Sequence, residues 1–123
     1  MQNDAKDIWL RTRSTLDDVA SVIGLTDTVH DAEDYWEWVI GISDGIELDV
    51  TRTHTQDPIT TDTRIFRVDN QPFSDSEVEL LCKRLFLITE TDIWLGRWLC
   101  LAGNEFEKVV ISRLSSGDMS GER

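Results

Sequence analysis

Between Ser14 and Thr51 the sequence contains no lysine and no arginine, while ten aspartates and glutamates fall in the same stretch. The shortage of positive charge extends to the whole chain of 123 residues, which has 12 basic and 24 acidic side chains and a formal net charge of −12. It is most severe early: residues 1–49 hold 12 acids and 3 bases, net −9, against 12 and 9, net −3, in residues 50–123. Nucleic acids and anionic membranes are held mainly by lysine and arginine, so direct binding to either is not expected. The charge favours a basic protein partner, or simple solubility.

Other scarcities narrow the reading further. Two cysteines, Cys82 and Cys100, form neither a CxxC motif nor a disulfide framework, and each lies in an apolar run that predicts a buried, reduced thiol. No run approaches the ~18 apolar residues of a membrane span, and the polar segment Met1–Lys6 lacks the apolar core of a signal peptide, which points to the cytoplasm. The two histidines, His30 and His54, sit outside any HExxH pattern and away from cysteine at zinc-ligand spacing. Asp31, Glu33 and Asp34 lack the glycine-punctuated spacing of a calcium loop, and no GxGxxG or GxxxxGK[ST] is present. The expectation is a protein with no catalytic residues, no metal and no cofactor.

What is present fits one core. Hydrophobic residues make up 40% of the chain and include five tryptophans and four phenylalanines. Residues 1–114 are read as a single domain, and the apolar-poor residues 115–123 as a disordered tail. Asp7–Arg13 alternates like a strand. Thr15 precedes Leu16, Val19, Ala20 and Ile23 at helical spacing, and Gly24 stands where a helix ends. The polar Leu25–Asp34 reads as a loop. Arg64–Val68 predicts a strand, and Ser74 with Glu77 forms a capping box, with Phe73 and Val78 as its staple, opening a helix to about Leu87. Ile93–Leu101 and Phe106–Arg113 predict a second hairpin around Ala102–Glu105. The order strand–helix–strand–strand, taken twice, predicts an α+β two-layer sandwich: a mostly antiparallel sheet of about six strands with two helices on one face.

The strongest local pattern lies between the helices. Trp36, Trp38, Ile40 and Ile42 alternate with Tyr35, Glu37, Val39 and Gly41, and Ile46, Leu48 and Val50 alternate with Glu47 and Asp49. A two-residue Asp44-Gly45 turn sets Ile42 against Glu47. A three-residue Ser43-Asp44-Gly45 loop sets Ile42 against Ile46, Ile40 against Leu48 and Trp38 against Val50, keeping one face apolar. The second register is therefore expected, with Trp38 in the core and Glu37, Val39, Glu47 and Asp49 on the outer face. Joined to Asp31, Glu33, Asp34 and Tyr35, these residues make the candidate partner-binding surface. Its acids steer a basic partner, and Tyr35 and Val39 anchor it. Ile93–Leu101 is apolar on both faces, so its outer side is either shielded by loops as that of a central strand or covered by a partner, a twin subunit in a homodimer or the tail.

The aromatic strands Tyr35–Gly41 (YWEWVIG), Ile46–Thr53 (IELDVTRT) and Ile93–Phe106 (IWLGRWLCLAGNEF), in a small acidic α+β chain, resemble the immunity proteins of bacterial polymorphic-toxin and contact-dependent growth inhibition systems. The likeness is one of style over residues 7–113. It implies tight binding to a cognate toxin domain, often a basic nuclease, with the toxin's active site or substrate groove covered. The alternatives are a homo-oligomeric structural or adaptor module, which sedimentation at two concentrations separates, and a small enzyme, which a pocket holding perturbed carboxylates would favour.

Overall fold

A computed structural model describes residues 6–53, 62–96 and 109–111, the last three by their backbone alone. The elements run β1 (Asp7–Leu10), α1 (Leu16–Val22), β2 (Thr26–Ala32), β3 (Trp36–Ser43), β4 (Ile46–Thr53), β5 (Thr63–Arg67), α2 (Asp75–Leu85), β6 (Ile93–Gly96) and β7 (Val109–Ile111). The strands form one sheet in the order β2-β3-β4-β5-β1-β6-β7, with every neighbouring pair antiparallel. The α+β sandwich stands, with seven strands where about six were expected. His54 and Cys100, the turn between β6 and β7, and residues 112–123 with the predicted tail lie outside the described residues.

Helix signals in the sequence carry directly into the structure. Thr15 caps α1 by accepting the Asp18 N–H at its hydroxyl. The helix ends with Gly24 N–H donating to Ser21 O and Leu25 N–H to Ala20 O, a paired closure that needs the left-handed backbone of Gly24, φ 79°. The Ser74–Glu77 capping box is complete at the start of α2, and Phe73 and Val78 are both buried. Arg84 fastens the two helices and the first hairpin, donating to Ile23 O at 2.9 Å with Asp44 3.7 Å away.

Both helices bury their apolar sides toward the same sheet face. Leu16, Val19, Ala20 and Ile23 of α1 and Val78, Leu81, Cys82 and Leu85 of α2 join Ile8, Leu10, Val39, Leu48, Val50, Ile65, Ile93 and Leu95 in one buried cluster. Register explains the choice of strand residues. Val39 lies opposite Val50, Val50 opposite Ile65, Ile65 opposite Ile8 and Ile8 opposite Leu95, a continuous apolar row across five strands. Each side chain of this size contributes roughly 1.5–3 kcal/mol on full burial.

Two expectations are corrected here. The segment read as a loop, Leu25–Asp34, contains edge strand β2, paired to β3 through a bulge between Thr26 and Val29 where Asp27 takes φ 53°. All seven of its residues are exposed, so no apolar alternation announces it. The first hairpin turns on two residues rather than three: Ser43 pairs with Ile46, Ile42 with Glu47 and Ile40 with Asp49. Asp44 and Gly45 have φ 52° and 80°, the doubly left-handed turn that matches the twist of paired strands. That register inverts the predicted faces of β3 and leaves those of β4 as expected, with Leu48 and Val50 in the core and Glu47 and Asp49 outside. Trp38 lies opposite Thr51, half-buried on the side away from the helices, and Val39 is in the core.

Candidate protein-docking face

The sheet face opposite the helices has two halves. Over β5, β1 and β6 it is closed by a stacked arginine. Arg64 pairs with buried Asp7 at 2.6 Å, and its guanidinium lies 4.2 Å from the Phe66 ring centre and 6.0 Å from that of Trp9. Arg11 similarly covers Trp94 at 5.9 Å while bonding Asp62. Over β2, β3 and β4 the face is open. Val29, Trp36 and Ile42 are 65%, 50% and 40% exposed, far more than core strand residues allow, and half-buried Trp38 and Ile40 lie between them. Isolated exposed apolar groups are ordinary, but this contiguous aromatic and aliphatic patch is the composition of a contact surface.

Acids frame the patch. Asp31 on β2 lies opposite Trp38, Glu47 on β4 lies opposite Ile42, and both are exposed. Asp49 lies opposite Ile40 on one side and Phe66 on the other. Burial pushes its carboxyl up to about 6, with Arg64 pulling the other way, and its Oδ1 is sealed without a hydrogen-bond partner. Glu33 and Asp34 are exposed at the tip joining β2 to β3, where Glu33 and Trp36 exchange backbone hydrogen bonds and Tyr35 is 74% exposed. The fold therefore gathers Asp31, Glu47 and Asp49 on one face, with Glu33, Asp34 and Tyr35 at its end.

Glu37 and Val39 do not belong to it. Val39 is fully buried beneath the helices and cannot anchor a partner. Glu37 points to the helix side, where one carboxylate oxygen is 3.2 Å from His30 Nε2 and the other 3.7 Å from Arg52 Nε. His30 Nδ1 is in turn 3.0 Å from Asp17 of α1, and buried Arg52 donates to Ser14 O at 3.0 Å. These charges lock the start of α1 onto the hairpin. The residues of this patch that the sequence reading placed in the core are Trp36, Trp38, Ile40 and Ile42, and it passed over Val29. The Asp44-Gly45 dipeptide is the signal that could have found them, because its two-residue turn sends Trp36 and Ile42 outward.

Hollows also lie elsewhere among the described residues. One of about 40 Å³ lies between the first hairpin's turn and α2, lined by Ile46, Leu48, Phe73 and Leu80 among others, and has room for little more than a water molecule. Another of about 250 Å³ is lined by Lys6, Asp7, Arg64, Phe66, Arg67, Asn70 and Gln71. Its arginines are already engaged, Arg64 with Asp7 and Arg67 with Asp69 and Glu77. No group of three or more His, Cys, Asp or Glu side chains suited to a metal ion occurs among the described residues, and no described helix is long and apolar enough to cross a membrane. Comparison with known proteins finds no matching family model, no matching curated protein and no matching solved structure.

Proposed function

We propose that this protein is an acidic binding protein that captures and neutralises a basic protein domain, as an immunity protein neutralises a nuclease-type toxin. The observation that carries the reading is the open half of the outer sheet face, where exposed Val29, Trp36 and Ile42 share a surface with Asp31 and Glu47. Aromatic groups desolvated at the centre of an interface supply affinity, while surrounding charges supply encounter rate and choice of partner. A phosphate-binding groove lined by lysine and arginine is the natural complement of such a surface.

Self-association through the same patch is less favourable. A two-fold contact would bring Asp31, Glu47 and Asp49 of one copy against the same acids of the next, in a stretch holding no base to offset them. The reading is tested by purifying the tagged chain from its native source and assaying whatever is retained in stoichiometric amount. A basic domain whose activity the chain suppresses, and which Trp36→Ala releases, is the expected result. A chain that instead recovers only itself, and sediments as a concentration-dependent dimer, contradicts it.

A further inference from the structure

We infer that Asp49 is the seat for one arginine or lysine side chain of the basic partner, received from the open face between Ile40 and Phe66. This rests on the proposed docking role of that face and adds its point of recognition. Aspartate is a poor strand residue, and here it occupies the middle of β4 with an aliphatic and an aromatic side chain as its cross-strand neighbours. Its Oδ1 has lost water and gained no hydrogen bond. The diagonal cation, Arg64, is held by Asp7 and stacked on Phe66. Glu47 and Thr51, two residues away on the same face, bring no positive charge.

A carboxylate left this way is costly within the free protein; Arg64 offsets only part of that cost, and a further cation brought to it is favourable. Oδ1 itself is sealed, but the residue is half-buried, so a cation arriving from solvent would meet the rest of the carboxylate and act on Oδ1 through its charge. An arriving guanidinium or ammonium would lay its aliphatic stem along Ile40 and Trp38 while its charged end meets the carboxylate. A second copy of the chain offers only acids at the matching positions, Asp31, Glu47 and Asp49. A single carboxylate is too sparse a ligand set for a metal ion.

The test uses the full chain, labelled at its aspartate carboxyl carbons and tryptophan indoles. It is titrated with the capped peptide Gly-Arg-Gly and with its citrulline counterpart, which keeps the shape and removes the charge. The arginine peptide should move the titration midpoint of Asp49 down by about one pH unit and shift the Trp38 indole. The citrulline peptide should do neither, and Asp49→Asn should abolish the indole shift. Equal effects from both peptides, or an arginine peptide that perturbs Asp31 and Asp34 while leaving the Asp49 midpoint in place, would overturn the inference. In that event a basic domain still released by Trp36→Ala would leave the docking role intact, so the two failures are distinct.

Discussion

Replacing Asp49 by asparagine should make the protein more stable at neutral pH, an uncommon outcome for a mid-strand substitution. The carboxyl is pushed to about 6 in the folded chain against an ordinary value of 3.8, with loss of water as the chief cause. Folding therefore takes up a proton between those values. The favourable contribution is fully present below the lower one and is lost as pH rises through the upper one, leaving a penalty at neutral pH. At about 1.4 kcal/mol for each pH unit of separation, the ceiling on that penalty is about 3 kcal/mol. The side chain keeps substantial contact with solvent, which reduces it to about 1–2 kcal/mol. Asp49→Asn removes the charge and keeps the shape, so urea unfolding near neutral pH should show a gain of about 1–2 kcal/mol with an unchanged dependence on denaturant. Near pH 4 the gain should shrink to about a fifth, because most of the wild-type side chain is then protonated in the folded state. Other acids titrate there too, but they are common to both proteins and cancel in the difference. A variant less stable than wild type at neutral pH, or a gain equal at both pH values, would refute the reasoning.

The inverted hairpin makes a paired prediction: Val39→Ala should cost about 2–3 kcal/mol, two buried carbons and the cavity they leave, while Ile42→Ala should cost less than about 1.5 kcal/mol. The three-residue register would reverse that order. Cys82 is buried and its thiol is pushed up to about 12, so it should resist alkylation at neutral pH in the native state and react once the chain is unfolded. Rapid native-state labelling at Cys82 would contradict the packing of α2.

Local signals with a single physical meaning were legible. Thr15 and Ser74 each precede apolar residues at helical spacing, Glu77 completes the capping box, and Gly24 supplies the left-handed residue that ends α1. The hairpin register was not, because the rule used to choose it assumed one apolar face. In β3 the large apolar residues Trp36, Trp38, Ile40 and Ile42 face outward, and the inward face carries Glu37, Val39, Gly41 and Ser43. The inward charge, Glu37, is tolerated because Arg52 and His30 meet it across the strands, and periodicity cannot show a pairing between strands. Strand β2 was missed because TDTVHDA is exposed along its length and held through backbone bonds to β3. The candidate site was accordingly half legible. Its acids Asp31, Glu47 and Asp49 were named, whereas its apolar members were assigned to the core and the core's Val39 to the site.

The triple reversal that charge alone would recommend, at Glu37, Glu47 and Asp49, is poorly matched to this geometry. Glu37 holds His30 and Arg52, so reversing it would disturb the contact between α1 and the hairpin. Asp31 and Glu47 are the exposed acids beside Trp38 and Ile42, and changing them leaves the core untouched. The most direct test is the association rate of the captured basic domain with wild-type protein and with an Asp31→Lys, Glu47→Lys variant, measured across ionic strength. Exposed charges act over about the Debye length, which shortens to ~8 Å at physiological salt. The wild-type rate should fall by about tenfold or more from low to physiological salt. The folded variant should start slower and lose most of that dependence. A variant that associates at the wild-type rate with the wild-type salt dependence would contradict the docking of a basic partner on this face.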